Sequence, residues 1–153
     1  MPVTKTRLKN ALMPDEPDYS MASQLGPEAL PHLKEFIIGK DDALASKATY
    51  FAGLIKDKKT VDILLTAASS QSDLVRIAAA ASAKHLNAAD ASKVLEILAN
   101  DVSYGVRKLV LMSAPKNSSA ELINKIKLIA SGDPMRQLRQ RASVTLERIN
   151  TKP

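Results

Sequence analysis

The chain has 153 residues and no cysteine, which excludes disulfide bonds, thiolate metal sites and a cysteine nucleophile. Of its residues 45% are apolar but only 3% are aromatic, and a core of Leu, Ile, Val and Ala favours helices over a β-sandwich. The net charge of +6 is concentrated near the C-terminus, where seven lysines and arginines face three acidic residues from Ala120 onward.

Residues 1–24 are polar and hold three acidic residues among prolines, namely Asp15, Glu16 and Asp18. This composition predicts a flexible or loosely docked tail ahead of a repeat domain over residues 25–150. The N-terminal segment has no apolar run of signal-peptide length, and nowhere does the chain have the roughly 18 consecutive apolar residues that a membrane span needs. The sequence therefore predicts a cytoplasmic protein with no membrane span.

From residue 27 onward, apolar residues recur at helical spacing. They predict helices over residues 27–38, 42–55, 60–69, 73–86, 90–99, 104–113, 119–131 and 134–149. Ser118 and Glu121 predict a capping box at the start of one helix. Asp133-Pro134 predicts a cap residue followed by proline at the first helical position, and Pro115 is expected to end the helix before it.

The helices repeat along the chain with a period of about 31 residues. Equivalent apolar positions in one helix of each repeat are Leu44, Val75, Val106 and Leu138, at steps of 31, 31 and 32. Equivalent positions in the preceding helix are Leu33, Leu64, Leu95 and Ile126, at steps of 31. Because two helices recur in every repeat, the sequence predicts an all-α fold, an α-solenoid of about four helical hairpins.

The segment from Ser72 to Leu86, SDLVRIAAAASAKHL, has few large side chains. In a solenoid each helix lies between its own partner and the neighbouring repeats, and small side chains let helix axes approach to about 8 Å. Alanine also has the highest helix propensity, so the segment keeps its shape without bulky anchors. We therefore expect Ile77 to Ala83 to be the most enclosed helix.

These segments resemble a known family of repeats. LGPEALPHLKEFI resembles the first helix of a HEAT-type repeat, and SDLVRIAAAASAKHL, DVSYGVRKLVLMSA and GDPMRQLRQRASVTLERI resemble second helices. Residues 25–149 most resemble the short bacterial HEAT-like repeats first described in phycobiliprotein lyases. The resemblance implies a right-handed, armadillo-like α-α superhelix. The first repeat departs from the pattern, because Ala45 stands where Arg76, Arg107 and Arg139 stand later.

Candidate catalytic and metal-binding residues are few. His32 and His85 are alone in their repeats, with no acid or nucleophile at matching helical spacing. There is no glycine-rich phosphate loop, no HExxH pair and no acidic loop of calcium-binding spacing. The sequence gives no positive indication of an enzyme and predicts no catalytic residues, no metal site and no cofactor.

A row of arginines is the first candidate for binding. Arg76, Arg107 and Arg139 recur once per repeat, and a guanidinium clasps carboxylates or phosphates by forked hydrogen bonds. The alternative is structural, with the arginines tying the loops between repeats to Asp101, Asp133 and helix ends, and the family resemblance favours this alternative.

The second candidate is the neighbouring pair of rows on the same helices, which holds Lys47, Tyr50, Met112 and Arg141. We expect these residues to line the inner face of the curved stack, where Met and Tyr suit an adaptable groove that receives a peptide or a helix. If this face is buried between helices, the same residues belong to the core instead.

The leading functional hypothesis is a protein-binding module or scaffold, because solenoids present extended concave surfaces and the catalytic sets are missing. The partner-binding residues are predicted to be Lys47, Tyr50, Arg76, Arg107, Met112, Arg139 and Arg141. The alternative partner is nucleic acid, contacted by the basic C-terminal repeats, although few aromatics are available to stack bases. A DNA glycosylase or a bilin-lyase-like role would rest on fold analogy alone.

Overall fold

A computed structural model describes residues 3–150, apart from the side chains of Ser23 and Asn150. All regular structure within this range is helical. The α-helices are α1 (Lys5–Leu12), α2 (Leu30–Ile38), α3 (Asp42–Gly53), α4 (Thr60–Ala68), α5 (Asp73–Ser82), α6 (Ala88–Leu98), α7 (Tyr104–Ser113), α8 (Ala120–Gly132) and α9 (Arg136–Asn150). Short 3-10 helices cover Tyr19–Gln24, Pro27–Ala29 and Ala83–His85.

Helices α2 to α9 form four hairpins that stack in chain order. The first helices of the hairpins make one layer, in which α2 packs on α4, α4 on α6 and α6 on α8. The second helices make the other layer, with α3 on α5, α5 on α7 and α7 on α9. The structure therefore confirms the all-α solenoid of four helical hairpins that the repeat period predicts.

Helix α5 is the alanine-rich helix of the second hairpin, and most of its alanines are buried, although Ile77 and Ala81 are partly exposed. Ala78, Ala79 and Ala80 have no exposed surface, because α5 lies between α3 and α7 in its own layer and against α4 in the other. A Cβ atom built on Gly53 of α3 would lie 2.6 Å from the Cβ of Ser82. The small residues of α3 and α5 thus permit a close approach of the two helices.

The helix starts follow the expected capping chemistry with two corrections. Ser119, and not Ser118, caps α8, since its hydroxyl accepts from the backbone N–H of Leu122 at 3.0 Å. The helix α9 begins at Arg136, beyond Pro134, because the Asp133 carboxylate accepts from the N–H of Met135 and holds the chain in a turn there. The helix before Pro115 ends at Ser113, as expected.

The N-terminal segment packs on the first hairpin. Leu8 and Leu12 lie one turn apart on α1 and are buried, and α1 contacts both α2 and α3. On its exposed side, the Lys5 ammonium lies 2.8 Å from the carboxylate of Glu35 on α2. Met13 follows α1 but points to solvent. The side chains of Leu8 and Leu12 are therefore part of the hydrophobic core.

Candidate functional site

Two of the predicted arginines join neighbouring repeats. Arg76 on α5 donates from Nε and Nη2 to the two carboxylate oxygens of Asp101, at 2.7 and 3.2 Å. Arg107 on α7 donates in the same way to Asp133, at 2.8 and 3.2 Å. Each aspartate lies in the loop between the helices of the next hairpin. A forked pair of this kind fixes both distance and orientation between successive hairpins.

The remaining guanidinium nitrogen of each arginine binds its own hairpin. Nη1 of Arg76 donates to the backbone carbonyl of Ser70 at 2.9 Å, and Nη1 of Arg107 donates to that of Asp101 at 2.9 Å. Both carbonyls lie six residues before the arginine. Each side chain therefore spans two loops, which is the arrangement of the structural alternative.

Asp133 is an ionised acceptor in a largely buried position. Burial raises the pKa of its carboxyl group, but the bond from Arg107, the Met135 N–H and the charges of Arg107 and Arg139 outweigh burial and lower the pKa overall. The side chains of Arg107 and Asp133 are only 12% and 3% exposed. The charged pair is thus held in a site with little solvent screening.

Arg139 occupies the equivalent position in the last described hairpin, where it makes the bond to the backbone carbonyl six residues before it. Its Nη1 donates to the backbone carbonyl of Asp133 at 2.6 Å. Within residues 3–150, no carboxylate lies against its other guanidinium nitrogens, since the described chain holds no further hairpin to supply one.

The inner-face rows are open in the C-terminal half of the solenoid. Met112 on α7 is 54% exposed and Val144 on α9 is 63% exposed. Between α7 and α9 runs an open groove of about 470 Å³, lined by Tyr104, Lys108, Gln137, Gln140, Arg141 and Val144. This groove joins two cations, two amides and apolar surface on one face.

The same rows are covered in the N-terminal half. The Lys47 ammonium on α3 donates to the backbone carbonyl of Pro14 at 2.8 Å. The ring of Tyr50 lies 6.3 Å from that of Tyr19, edge to face, and burial raises the pKa of Tyr50. The chain segment that follows α1 therefore lies over Lys47 and Tyr50.

The middle of the rows differs again, because Ala78 on α5 is fully buried while Leu109 on α7 is half-buried. The structure thus brings Arg141 together with Tyr104 and Lys108, which sequence reasoning missed. The available signal was their spacing, since Tyr104, Lys108 and Met112 follow one another at every fourth position along one face of a helix.

A second cleft, of about 400 Å³, lies between the loop that follows α3 and the loop that precedes α6, and is bordered by Lys56, Asp57, His85 and Asp90. Burial, together with the charges of Lys84 and Lys56, lowers the pKa of His85. The residues that the structure describes include no group of three or more His, Asp or Glu side chains placed to hold a metal ion. None of the described helices combines the length and apolar character needed to cross a membrane.

Comparisons with known proteins define the class of fold. No family model matches the chain, and no curated protein matches it. A solved structure, that of the complex of CpcE and CpcF of phycocyanin lyase from Nostoc sp. PCC7120, contains a similar chain. The two are 19% identical, with a TM-score of 0.71 over 92% of this chain and 96% of the other. The chain has the fold of these lyase proteins, as its HEAT-like repeats predict.

Proposed function

We propose that this protein is a non-catalytic, cytoplasmic binding module that holds another protein against the inner face of its second helices. One observation carries the proposal. The inner face bears exposed apolar side chains beside cations on α7 and α9, whereas on α3 the same rows already hold a segment of the chain. A surface that binds its own polypeptide at one end has the chemistry to bind another at the other end.

The residues that would make this contact are Met112, Arg141 and Val144, joined by Tyr104 and Lys108. Exposed methionine adapts its shape to different partners, and tyrosine and arginine are enriched in the parts of interfaces that contribute most to binding. Arg76 and Arg107 would support the site indirectly by fixing the spacing of the hairpins. Lys47 and Tyr50 would contribute the equivalent contacts at the N-terminal end of the solenoid, where the N-terminal segment lies over them.

The similar chain supports the proposal by analogy. It belongs to a complex of CpcE and CpcF, so a chain of this fold is known to assemble with another protein. The analogy extends to assembly and does not extend to lyase chemistry, because likeness of fold does not carry function.

The alternative partner is nucleic acid, and the cations of the C-terminal repeats give it less support than the exposed inner face gives to a protein partner. Several of them bind the protein itself, since Arg148 donates to the backbone carbonyl of Ala114 at 2.8 Å and Lys125 to that of Glu96 at 2.8 Å. Arg107 is neutralised by Asp133. Phosphate binding needs cations that are free to face the backbone of a nucleic acid.

The test is affinity capture from a lysate of the cells that make the protein, followed by mass spectrometry, with and without nuclease. We expect a protein partner that survives nuclease treatment and is depleted about ten-fold or more by Met112→Glu with Val144→Glu, because a buried charge at an interface centre is costly. Leu128→Glu is the matched control, since Leu128 is an exposed apolar residue at 65% on the first-helix layer.

A partner lost to nuclease would favour nucleic acid instead. Equal loss of the partner with the Met112→Glu, Val144→Glu double variant and with Leu128→Glu would contradict the inner face as the binding surface.

A further inference from the structure

The C-terminal groove and the covered N-terminal site occupy equivalent positions in the repeat. Lys47 on α3 and Arg141 on α9 stand in one row, and Tyr50 and Val144 stand in the next. At the first of these sites the structure shows what is bound. The occupant is the backbone after α1, whose carbonyls at Met13 and Pro14 lie 3.5 and 2.8 Å from the Lys47 ammonium.

The occupant has a distinct chemistry. From Met13 to Asp18 it reads MPDEPD, with no helix over those residues, and the backbone bends over residues 14–16. The carboxylate-bearing residues Asp15, Glu16 and Asp18 are exposed. The inner face of the first hairpin thus binds a non-helical, acidic, proline-containing segment through a lysine that donates to backbone carbonyls.

The groove between α7 and α9 offers similar side chains, namely cations, amides and apolar surface, and it is open to solvent. Arg141 stands in the Lys47 row and Lys108 faces it across the groove, and neither forms an ion pair within residues 3–150. Gln137 and Gln140 supply amides that can bond an extended backbone, and Tyr104 and Val144 supply apolar surface. The two cations together complement an acidic occupant.

We propose that this groove binds a non-helical, acidic, proline-containing segment of another protein, a partner class that rests on the proposed function. Arg141 and Lys108 bind its carboxylates or backbone carbonyls, and the prolines pack on Tyr104 and Val144. Prolines limit the conformational entropy lost on binding, since their rings already restrict the backbone of the free segment. The N-terminal segment of the same molecule is held on α3 by the burial of Leu8 and Leu12 and does not reach this groove as placed.

The test uses a synthetic peptide with the sequence of residues 12–20, LMPDEPDYS, titrated into the full-length isotopically labelled protein and followed by NMR. We expect shift changes at Tyr104, Lys108 and Arg141, with α3 unchanged. Arg141→Gln and Lys108→Gln should each weaken peptide binding about two- to five-fold, the range of an exposed ion pair. Added salt should weaken it further.

Two controls test whether peptide binding depends on the groove cations and on the carboxylates of the peptide. Arg136→Gln removes an exposed cation of the same helix that does not line the groove, and it should leave peptide binding within two-fold. A second peptide carries Asp15→Asn, Glu16→Gln and Asp18→Asn, and it should bind at least about three-fold more weakly.

The proposal is overturned if the neutral peptide binds as tightly as the acidic one, if Arg136→Gln weakens binding as much as Arg141→Gln, or if the acidic peptide leaves the groove unshifted. Each of these outcomes leaves the binding-module proposal standing, because that proposal is tested by capture with Met112→Glu and Val144→Glu. If the Met112→Glu, Val144→Glu variant and the Leu128→Glu control lose the captured partner equally while the acidic peptide still binds the groove, the binding-module proposal fails and the peptide-binding result stands.

Discussion

Arg107 donates from Nε and Nη2 to both carboxylate oxygens of Asp133, a residue that lies 26 positions further along the chain and one hairpin further along the solenoid. The pair stands between α7 and the loop before α9. Arg76 repeats the geometry one hairpin earlier with Asp101. The described contacts of these two arginines therefore bind successive hairpins to each other.

Arg107→Gln should lower the free energy of unfolding by about 2–4 kcal/mol, because it leaves Asp133 charged and buried without its partner. Chemical denaturation at neutral pH measures the change. Arg139→Gln is the matched control on the last described hairpin, where the Arg139 guanidinium donates to the backbone carbonyl of Asp133 and, within residues 3–150, pairs with no carboxylate, and it should cost less than about 1.5 kcal/mol. Equal losses for the two variants would mean that the carboxylate pairing contributes little.

The pH dependence of stability should report the ionisation of Asp133. Because the pKa of this carboxyl lies below its ordinary value of 3.8 in the folded protein, the unfolded chain binds protons more readily than the folded chain at acid pH. The stabilisation is present above pH ~4 and is lost as the pH falls through the lower, folded-state pKa.

Denaturation of the wild type and of Asp133→Asn, repeated from about pH 7 to about pH 2.5, measures this contribution. The difference in unfolding free energy between the two proteins should narrow below about pH 4. Glu121→Gln is the control, because the Glu121 side chain is 65% exposed and its ion pair with Lys125 is long, at 3.8 Å. A wild-type to Asp133→Asn difference that is constant with pH would show that ionised Asp133 does not stabilise the fold.

Two glycines differ in the space around them, and their substitution by alanine should have opposite effects on stability. Gly53→Ala places a methyl group 2.6 Å from the Cβ of Ser82, and we expect a loss of about 1–3 kcal/mol from overpacking. Gly132→Ala places its methyl group in open space at the end of α8, and should stabilise by up to about 1 kcal/mol through reduced entropy of the unfolded chain. Thermal unfolding distinguishes them, and a neutral Gly53→Ala would show that α5 shifts to accommodate it.

The sequence predicted α2 to α9 well because burial in a solenoid recurs with the repeat. Leu64 and Leu95 are both fully buried, and each stands one period from the next. The same logic predicted the burial of Ala79, whose small side chain is required where α5 lies between α3 and α7.

The choice between the two roles of the arginines, and the covered end, were harder to predict. The sequence indicated Asp101 and Asp133 as possible acceptors, but the pairing of Arg76 with Asp101 depends on how one hairpin is placed on the next, which the spacing within a single repeat does not contain. The docking of α1 rests on two leucines one turn apart, Leu8 and Leu12, and so short an apolar pattern is common in exposed helices. A loosely docked N-terminal segment was one of the two expected arrangements, but the sequence did not indicate that this segment would lie over Lys47 and Tyr50.

The N-terminal segment supplies the last prediction. Leu12→Ala should lower the thermal stability, because Leu12 is fully buried between α1 and the first hairpin, and truncation of a buried leucine costs about 2–5 kcal/mol when its surroundings stay in place. Met13→Ala is the control, since Met13 is 65% exposed, and it should leave the melting temperature unchanged.

The loss for Leu12→Ala cannot exceed the free energy with which the whole segment docks, because α1 can detach and leave the hairpins folded. Leu8→Ala combined with Leu12→Ala should therefore destabilise by less than the sum of the two single changes. Deletion of residues 1–20 should set the limit and should also expose Leu33 and Phe36 of α2, so that the truncated protein self-associates in sedimentation. A truncated protein that stays monomeric and melts like the full chain would show that the first hairpin needs no cover, and that α1 contributes nothing to the core it contacts.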